Sequence, residues 1–150
     1  MDDPFELQRF IEAQDAGDSY GSALQELRHG RKTGHWMWFV FPQLAGLGRS
    51  PTARHYALRG ADEARAYLAH PVLGPRLRAC AQAVTDLATS DPVAVLGSVD
   101  AQKLRSSMTL FALVDPDAPV FADVLDRCFG GERDPATIGL LERSAPPAAG

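Results

Sequence analysis

Residues 36–42, WMWFVFP, form the longest uninterrupted apolar run in the chain, and whether they are strand or helix separates two architectures. Periodicity alone does not decide, because a short continuous apolar run suits a buried strand and a buried helix equally. Val40 is the only β-branched residue in the run, and no other segment shows convincing period-two alternation, so a strand here would have no partner. The run therefore reads as a short, enclosed aromatic helix at the centre of a multi-helical domain. Its seven residues also fall far short of the ~20 that a membrane-spanning helix needs.

Working outward from this run, the prolines mark where helices open. Asp3-Pro4, Ser50-Pro51, Asp91-Pro92 and Asp134-Pro135 each place a capping oxygen before a residue whose fixed φ suits the first helical position. His70-Pro71 repeats the layout with a weaker cap. Glu6 follows Asp3 by three residues, a capping-box pattern, and predicts a first helix over 4–15. Tyr20, Ala23, Leu24 and Leu27 share one helical face, with Gly30 placed to end that helix. Leu73, Leu77, Cys80, Val84 and Leu87 step by four and three residues along a long helix. Leu104, Met108 and Phe111 follow an expected cap at Asp100, and Val120, Phe121, Val124, Leu125 and Cys128 precede Gly130-Gly131. The expectation is an all-α fold: one compact domain over 3–142 and a disordered tail, 143–150, ending in SAPPAAG.

Composition agrees with that class. The chain has 150 residues, 45% apolar and 23% charged, close to the average globular domain. A chain of this size buries about 70% of the surface its unfolded form exposes, enough for a core without metal or disulfide. Cys80 and Cys128 have no second cysteine or histidine at ligand spacing, so both read as buried apolar residues. The start, MDDPFELQ, lacks the basic and then apolar sections of a secretory signal, so a cytoplasmic location is expected.

The formal net charge of −4 hides an uneven distribution. Residues 31–110 carry ten bases against five acids, while both flanks are acidic. A positive centre suits an anionic ligand. The density of basic residues is below that of a duplex-binding stripe, so nucleic acid is an unlikely partner and only a weak nucleic-acid-binding role is carried forward.

That centre contains the stretch least like ordinary sequence, GRKTGHWMWFVFPQLAGLG over 30–48. Bulky aromatics are core anchors first. Here they also adjoin Arg31, Lys32 and His35, and an indole face beside cationic donors can wall a pocket for a planar ring bearing phosphate or carboxylate. Trp36 and Trp38 supply the rings, and Gln43 stands at the far end of the run. In DAQKLRSSMTLF, 100–111, Lys103 and Ser107 share a helix face at i and i+4. Adjacent serines are locally unfavourable inside a helix, which marks Ser106 and Ser107 as functional or tightly packed. His35 is the candidate acid/base, and Ser107 is the second candidate catalytic residue, able with Lys103 to supply donors to an anion; His70 reads as a cap. There is no GxSxG elbow, P-loop, dinucleotide fingerprint or paired-histidine metal motif, so no metal or cofactor is expected.

These strings, together with SPTARHYAL and EARAYLAHPVLGPRL, closely resemble an uncharacterised bacterial family catalogued as a domain of unknown function, some of whose members carry the label calpastatin. The resemblance runs from DPFELQRFIEAQ to the last predicted helix. It implies a multi-helical fold with a short buried central helix and no established activity. Calpastatins are disordered inhibitors, and that label does not describe a sequence patterned as a compact domain. The family pattern falls here on Gly30, Arg31, Lys32, His35, Trp36, Trp38, Gln43, Tyr56, Lys103, Ser106 and Ser107, and it adds Tyr56 to the candidate ligand-binding residues.

Three functions follow as expectations. The first is binding, with or without hydrolysis or transfer, of a small anionic nucleotide-like or ADP-ribose-like ligand. The second is a non-enzymatic protein-interaction module. The third is weak nucleic-acid binding through the positive centre.

Overall fold

The structure, a computed structural model, describes residues 3–144. Its helices are α1 (Gln8–Asp15), α2 (Ser19–His29), α3 (Met37–Val40), α4 (Pro51–His55), α5 (Ala61–Ala69), α6 (Leu73–Thr85), α7 (Pro92–Leu96), α8 (Ser98–Val114), α9 (Pro119–Phe129) and α10 (Pro135–Ser144). Among the described residues there is no strand; one isolated parallel bridge joins Leu44 to Leu58. The fold is all-α, as expected. No helix among the described residues is long and apolar enough to cross a membrane.

The proline signals worked where the cap could reach its amide. Ser50 Oγ accepts from Ala53 N at 3.1 Å, and Asp91 Oδ1 accepts from Val93 N at 3.0 Å. Asp3 acts later than expected. Glu6 has φ 54°, a left-handed conformation costly for a residue with a Cβ, and it breaks the chain after Pro4. The Asp3 carboxylate caps Leu7 N and Gln8 N at 2.8 and 2.9 Å instead, so the helix predicted over 4–15 begins at Gln8. The Asp100 cap is also corrected. Gly97, at φ 85°, starts α8 at Ser98, which leaves Asp100 inside the first turn with its carboxylate unused by the backbone. His70 is a cap, its Nδ1 accepting from Val72 N and Leu73 N at 3.1 and 3.3 Å. The last helix, α10, reaches Ser144, and most of the tail expected over 143–150 lies outside the described residues.

The aromatic run is a single helical turn. Trp36, Met37, Val40 and Phe41 are buried, while Trp38 and Phe39 are half-buried and so less enclosed than expected. The interior is crossed by α8, whose residues from Ser106 to Ala112 are all buried; a helix apolar on most faces belongs inside. An aromatic series crosses the interior: Phe10 meets Tyr67 edge-on at 5.1 Å, Tyr67 meets Phe111 at 5.8 Å and Phe111 meets Phe121 at 5.6 Å. This series links α1, α5, α8 and α9. Burying each ring contributes about 1.5–3 kcal/mol. Cys80 is fully buried, and burial pushes its thiol up to about 12. Cys128, expected to be buried, is only half-buried.

Polar groups inside this core are tied down, as burial requires. Gln14 donates to Phe39 O at 2.8 Å and to Tyr67 Oη at 3.2 Å, and accepts from Arg76 at 3.1 Å. Glu63, 1% exposed, is held by Arg9 at 2.8 Å and by Arg59 at 3.3 Å.

Candidate functional site

The loop after α2 turns back on itself because Glu26 organises it. Glu26 Oε1 accepts from Thr33 N, Gly34 N and Trp36 Nε1 at 2.6, 2.8 and 3.0 Å. Burial of this carboxylate works against its charge, but the Gly34, Thr33 and Trp36 donors outweigh it and hold its pKa below the ordinary value. The result presents Lys32 to α8. Its backbone N–H donates to Val95 O at 2.8 Å, and its ammonium lies 2.9 Å from Asp100 Oδ2 and over the Trp36 ring at 5.2 Å. From the other side, Lys103 reaches Asp100 Oδ1 at 3.4 Å and sits over the Trp38 ring at 4.9 Å. Lys32 and Lys103, some seventy residues apart in the chain, thus meet at one carboxylate.

This arrangement is built from the sequence's own oddities. Lys32 and Lys103 are the chain's two lysines, and both stand over tryptophan, where the electron-rich ring face attracts a cation. The Asp100 carboxylate faces both ammonium groups, and a second carboxylate, Glu26, is bonded to the Trp36 indole beneath Lys32. Arg31 and His35 are exposed in the same loop.

With this geometry in place, comparison with known proteins identifies the group to which the chain is related. Residues 4–141 match the model of a family described as a protein of unknown function (DUF1810). The chain belongs to the DUF1810 family. It is also similar to the crystal structure of the conserved hypothetical protein Rv1873 from Mycobacterium tuberculosis. That protein shares 47% sequence identity with it at a TM-score of 0.90, covering 93% of this chain and 99% of the other. No curated protein matches. Neither the family description nor the structural relative names an activity, and neither carries the calpastatin label.

The remaining candidate residues lie apart from the lysine pair. Tyr56 packs on Phe10 at 5.8 Å and Phe39 at 5.4 Å, which places it with α1. Gln43 is half-buried, and its carbonyl accepts from Leu58 N at 2.9 Å. Ser106 is turned towards α10: its hydroxyl donates to Asp134 Oδ2 at 2.8 Å. Asp134 also accepts from Thr137 Oγ1 at 2.6 Å, while its own N–H donates to Thr109 Oγ1 at 2.9 Å. The role the geometry gives Ser106 is to anchor the start of α10.

Ser107 is fully buried, and its hydroxyl has no hydrogen-bond partner among the described residues. His35 is exposed, so among the described residues no hydrogen bond joins the two candidate catalytic residues. Activating a serine requires a base within about 2.6–3.2 Å, and that pairing is not made. Among the described residues no group of three or more His, Cys, Asp or Glu is placed to hold a metal ion.

Sequence reasoning missed Glu26, half-buried on α2, because nothing in the residues beside it hints that it organises a loop seven residues on. It also missed a cleft of ≈ 480 Å³ lined by Phe5, Arg59, Gly60, Arg65, Val114 and their neighbours, and by none of the candidate residues.

Proposed function

We propose that the protein binds a small anionic, ring-bearing ligand of the nucleotide-like or ADP-ribose-like kind beside Lys32, Trp38 and Lys103, and that it binds without catalysing a reaction. The observation carrying this reading is the pair of ammonium groups over tryptophan sharing the single carboxylate of Asp100. The exposed Arg31 of the same loop supplies positive charge for an anion, and the lysine side chains, 11% and 23% exposed, act in surroundings drier than bulk water, where charge is worth more. Arg31 and His35 in the exposed loop extend the field outward. Half-buried Trp38 supplies an aromatic surface for a planar ring. The sealed Ser107, with no base against it, argues for binding rather than covalent chemistry.

Calorimetric titration with ADP-ribose, NAD, nucleotides and sugar phosphates tests the site. Saturable binding lost in Arg31→Ala and Lys103→Ala supports it; binding that both variants retain unchanged overturns it. A second reading, a protein-interaction module, draws on Val93 and Val99, which are 50% and 69% exposed at the α7–α8 corner that supports Lys32. Recovery of a stoichiometric partner whose binding is lost in Val93→Ser/Val99→Ser would favour it.

A further inference from the structure

The ≈ 480 Å³ cleft adjoins two smaller ones, and the three are taken together as one trough. The largest shares Arg65 and Val114 with a neighbouring cleft of ≈ 250 Å³ that continues to Arg78, and it shares Arg59 with one of ≈ 230 Å³ that continues to Arg143. Arginines therefore recur along the trough, beside the carboxylates of Asp62, Glu63 and Asp115, and its apolar lining, or floor, includes Leu68, Leu113, Val114 and Leu140.

The arginine charges are incompletely used. Glu63 is already paired with Arg9 at 2.8 Å, so the charge of Arg59 is in excess. Arg59 reaches Glu63 through its backbone N–H and Nε, which leaves the two terminal nitrogens, the fork that grips carboxylates bidentately, without a partner among the described residues. Arg65 pairs with Asp62, itself 89% exposed, and Arg78 lies 3.6 Å from Asp115. Exposed pairs of this kind are exchanged cheaply for a competing anion. Arg59, Arg65 and Arg78 have side chains 63%, 58% and 41% exposed, so their heads are accessible.

We propose that this trough docks an extended acidic peptide segment of a partner protein, with carboxylate side chains on the arginines and apolar side chains on the floor. Charge complementarity specifies the acidic character, and the leucine and valine floor specifies the apolar residues. Side chains alternate between faces in an extended chain, which delivers both kinds at once. Among the described residues, Phe5 is the one aromatic residue lining the trough. A single-stranded nucleic acid would call for a series of aromatic stacking platforms, so the peptide is the better match.

The test is fluorescence anisotropy of the full chain with a labelled eight-residue peptide of alternating Glu and Leu, with octauridylate as the comparison probe. The proposal expects saturable, salt-sensitive peptide binding, weakened at least tenfold by Arg59→Gln/Arg65→Gln and unchanged by Lys103→Ala. Arg9 still holds Glu63 in that double variant, so its melting temperature should match the parent. Should it melt lower, Arg65→Glu alone must still weaken binding at least threefold. Absence of peptide binding at millimolar concentration, equal binding by the arginine variants, an equal loss in Lys103→Ala, or tighter binding of octauridylate would each overturn it.

Discussion

The Lys32 ammonium and the Asp100 carboxylate lie 2.9 Å apart, joining the loop after α2 to the first turn of α8. Lys103 shares that carboxylate at 3.4 Å, so Asp100 restrains two cations that would otherwise repel each other. Asp100→Asn is expected to lower stability by about 2 kcal/mol, the scale for leaving a charged, mostly buried group unpaired. The same substitution removes the carboxylate competing with an anionic ligand, so ADP-ribose should bind more tightly. Urea unfolding and calorimetry on one variant read the two opposite effects.

Ser106 and Ser107 should respond oppositely to alanine. Ser106→Ala removes a donor from Asp134, leaves that buried acceptor short, and should cost about 1–2 kcal/mol. Ser107→Ala removes a hydroxyl that has no partner among the described residues and improves helix propensity, so it should be neutral or stabilise by up to about 1 kcal/mol. Urea midpoints of the two variants decide the matter. A loss of stability in Ser107→Ala would show that its hydroxyl is used.

Acid should weaken the fold through Asp134 and Glu26. Burial pushes the Asp134 pKa up, but the donors of Thr137, Ser106 and the α10 backbone prevail and hold it below its ordinary value; Glu26 is depressed in the same sense. A depressed carboxylate binds its proton less readily folded than unfolded, so its stabilisation is complete above the ordinary range near about 4 and is lost as pH falls through the lower folded value. Urea midpoints should be flat towards neutrality and fall below that range. Asp134→Asn should be less stable near pH 7 and show a shallower acid decline.

Gly74 is a contact as well as a residue. A Cβ there would lie 2.1 Å from the Leu68 carbonyl oxygen, a backbone atom that cannot swing aside. Gly74→Ala should therefore push apart α5 and α6 and cost about 3 kcal/mol, the upper end for overpacking. Its helix-propensity gain of about 1 kcal/mol does not offset that. Thermal unfolding of the single variant is the measurement.

Fold legibility followed the range of the interactions involved. Ser50, Asp91 and His70 cap amides two or three residues away, and Gly30 ends α2 at φ 79°; such signals lie within one turn of chain and can be read directly. Asp3 and Asp100 were misplaced because positive φ at Glu6 and Gly97 moved the helix starts, and a backbone reversal at a glutamate carries no compositional mark.

The candidate site was legible only in part. Unusual composition located Lys32, Trp36, Trp38 and Lys103, and the fold brings them to one carboxylate. It gave no way to separate Ser106 from Ser107, since a step of one residue turns a helix by roughly 100°. That rotation sends one hydroxyl to Asp134 and leaves its neighbour without a partner.

By itself the sequence determined an all-helical chain and the two motifs rich in unusual chemistry, because caps, periodicity and composition act over a few residues. Tertiary packing alone decided that Asp100 lies between Lys32 and Lys103, that Glu26 shapes the loop before Trp36, and that Arg59, Arg65 and Arg78 border one trough. Those outcomes depend on how each helix is rotated and what it packs against, and contacts between distant segments set both.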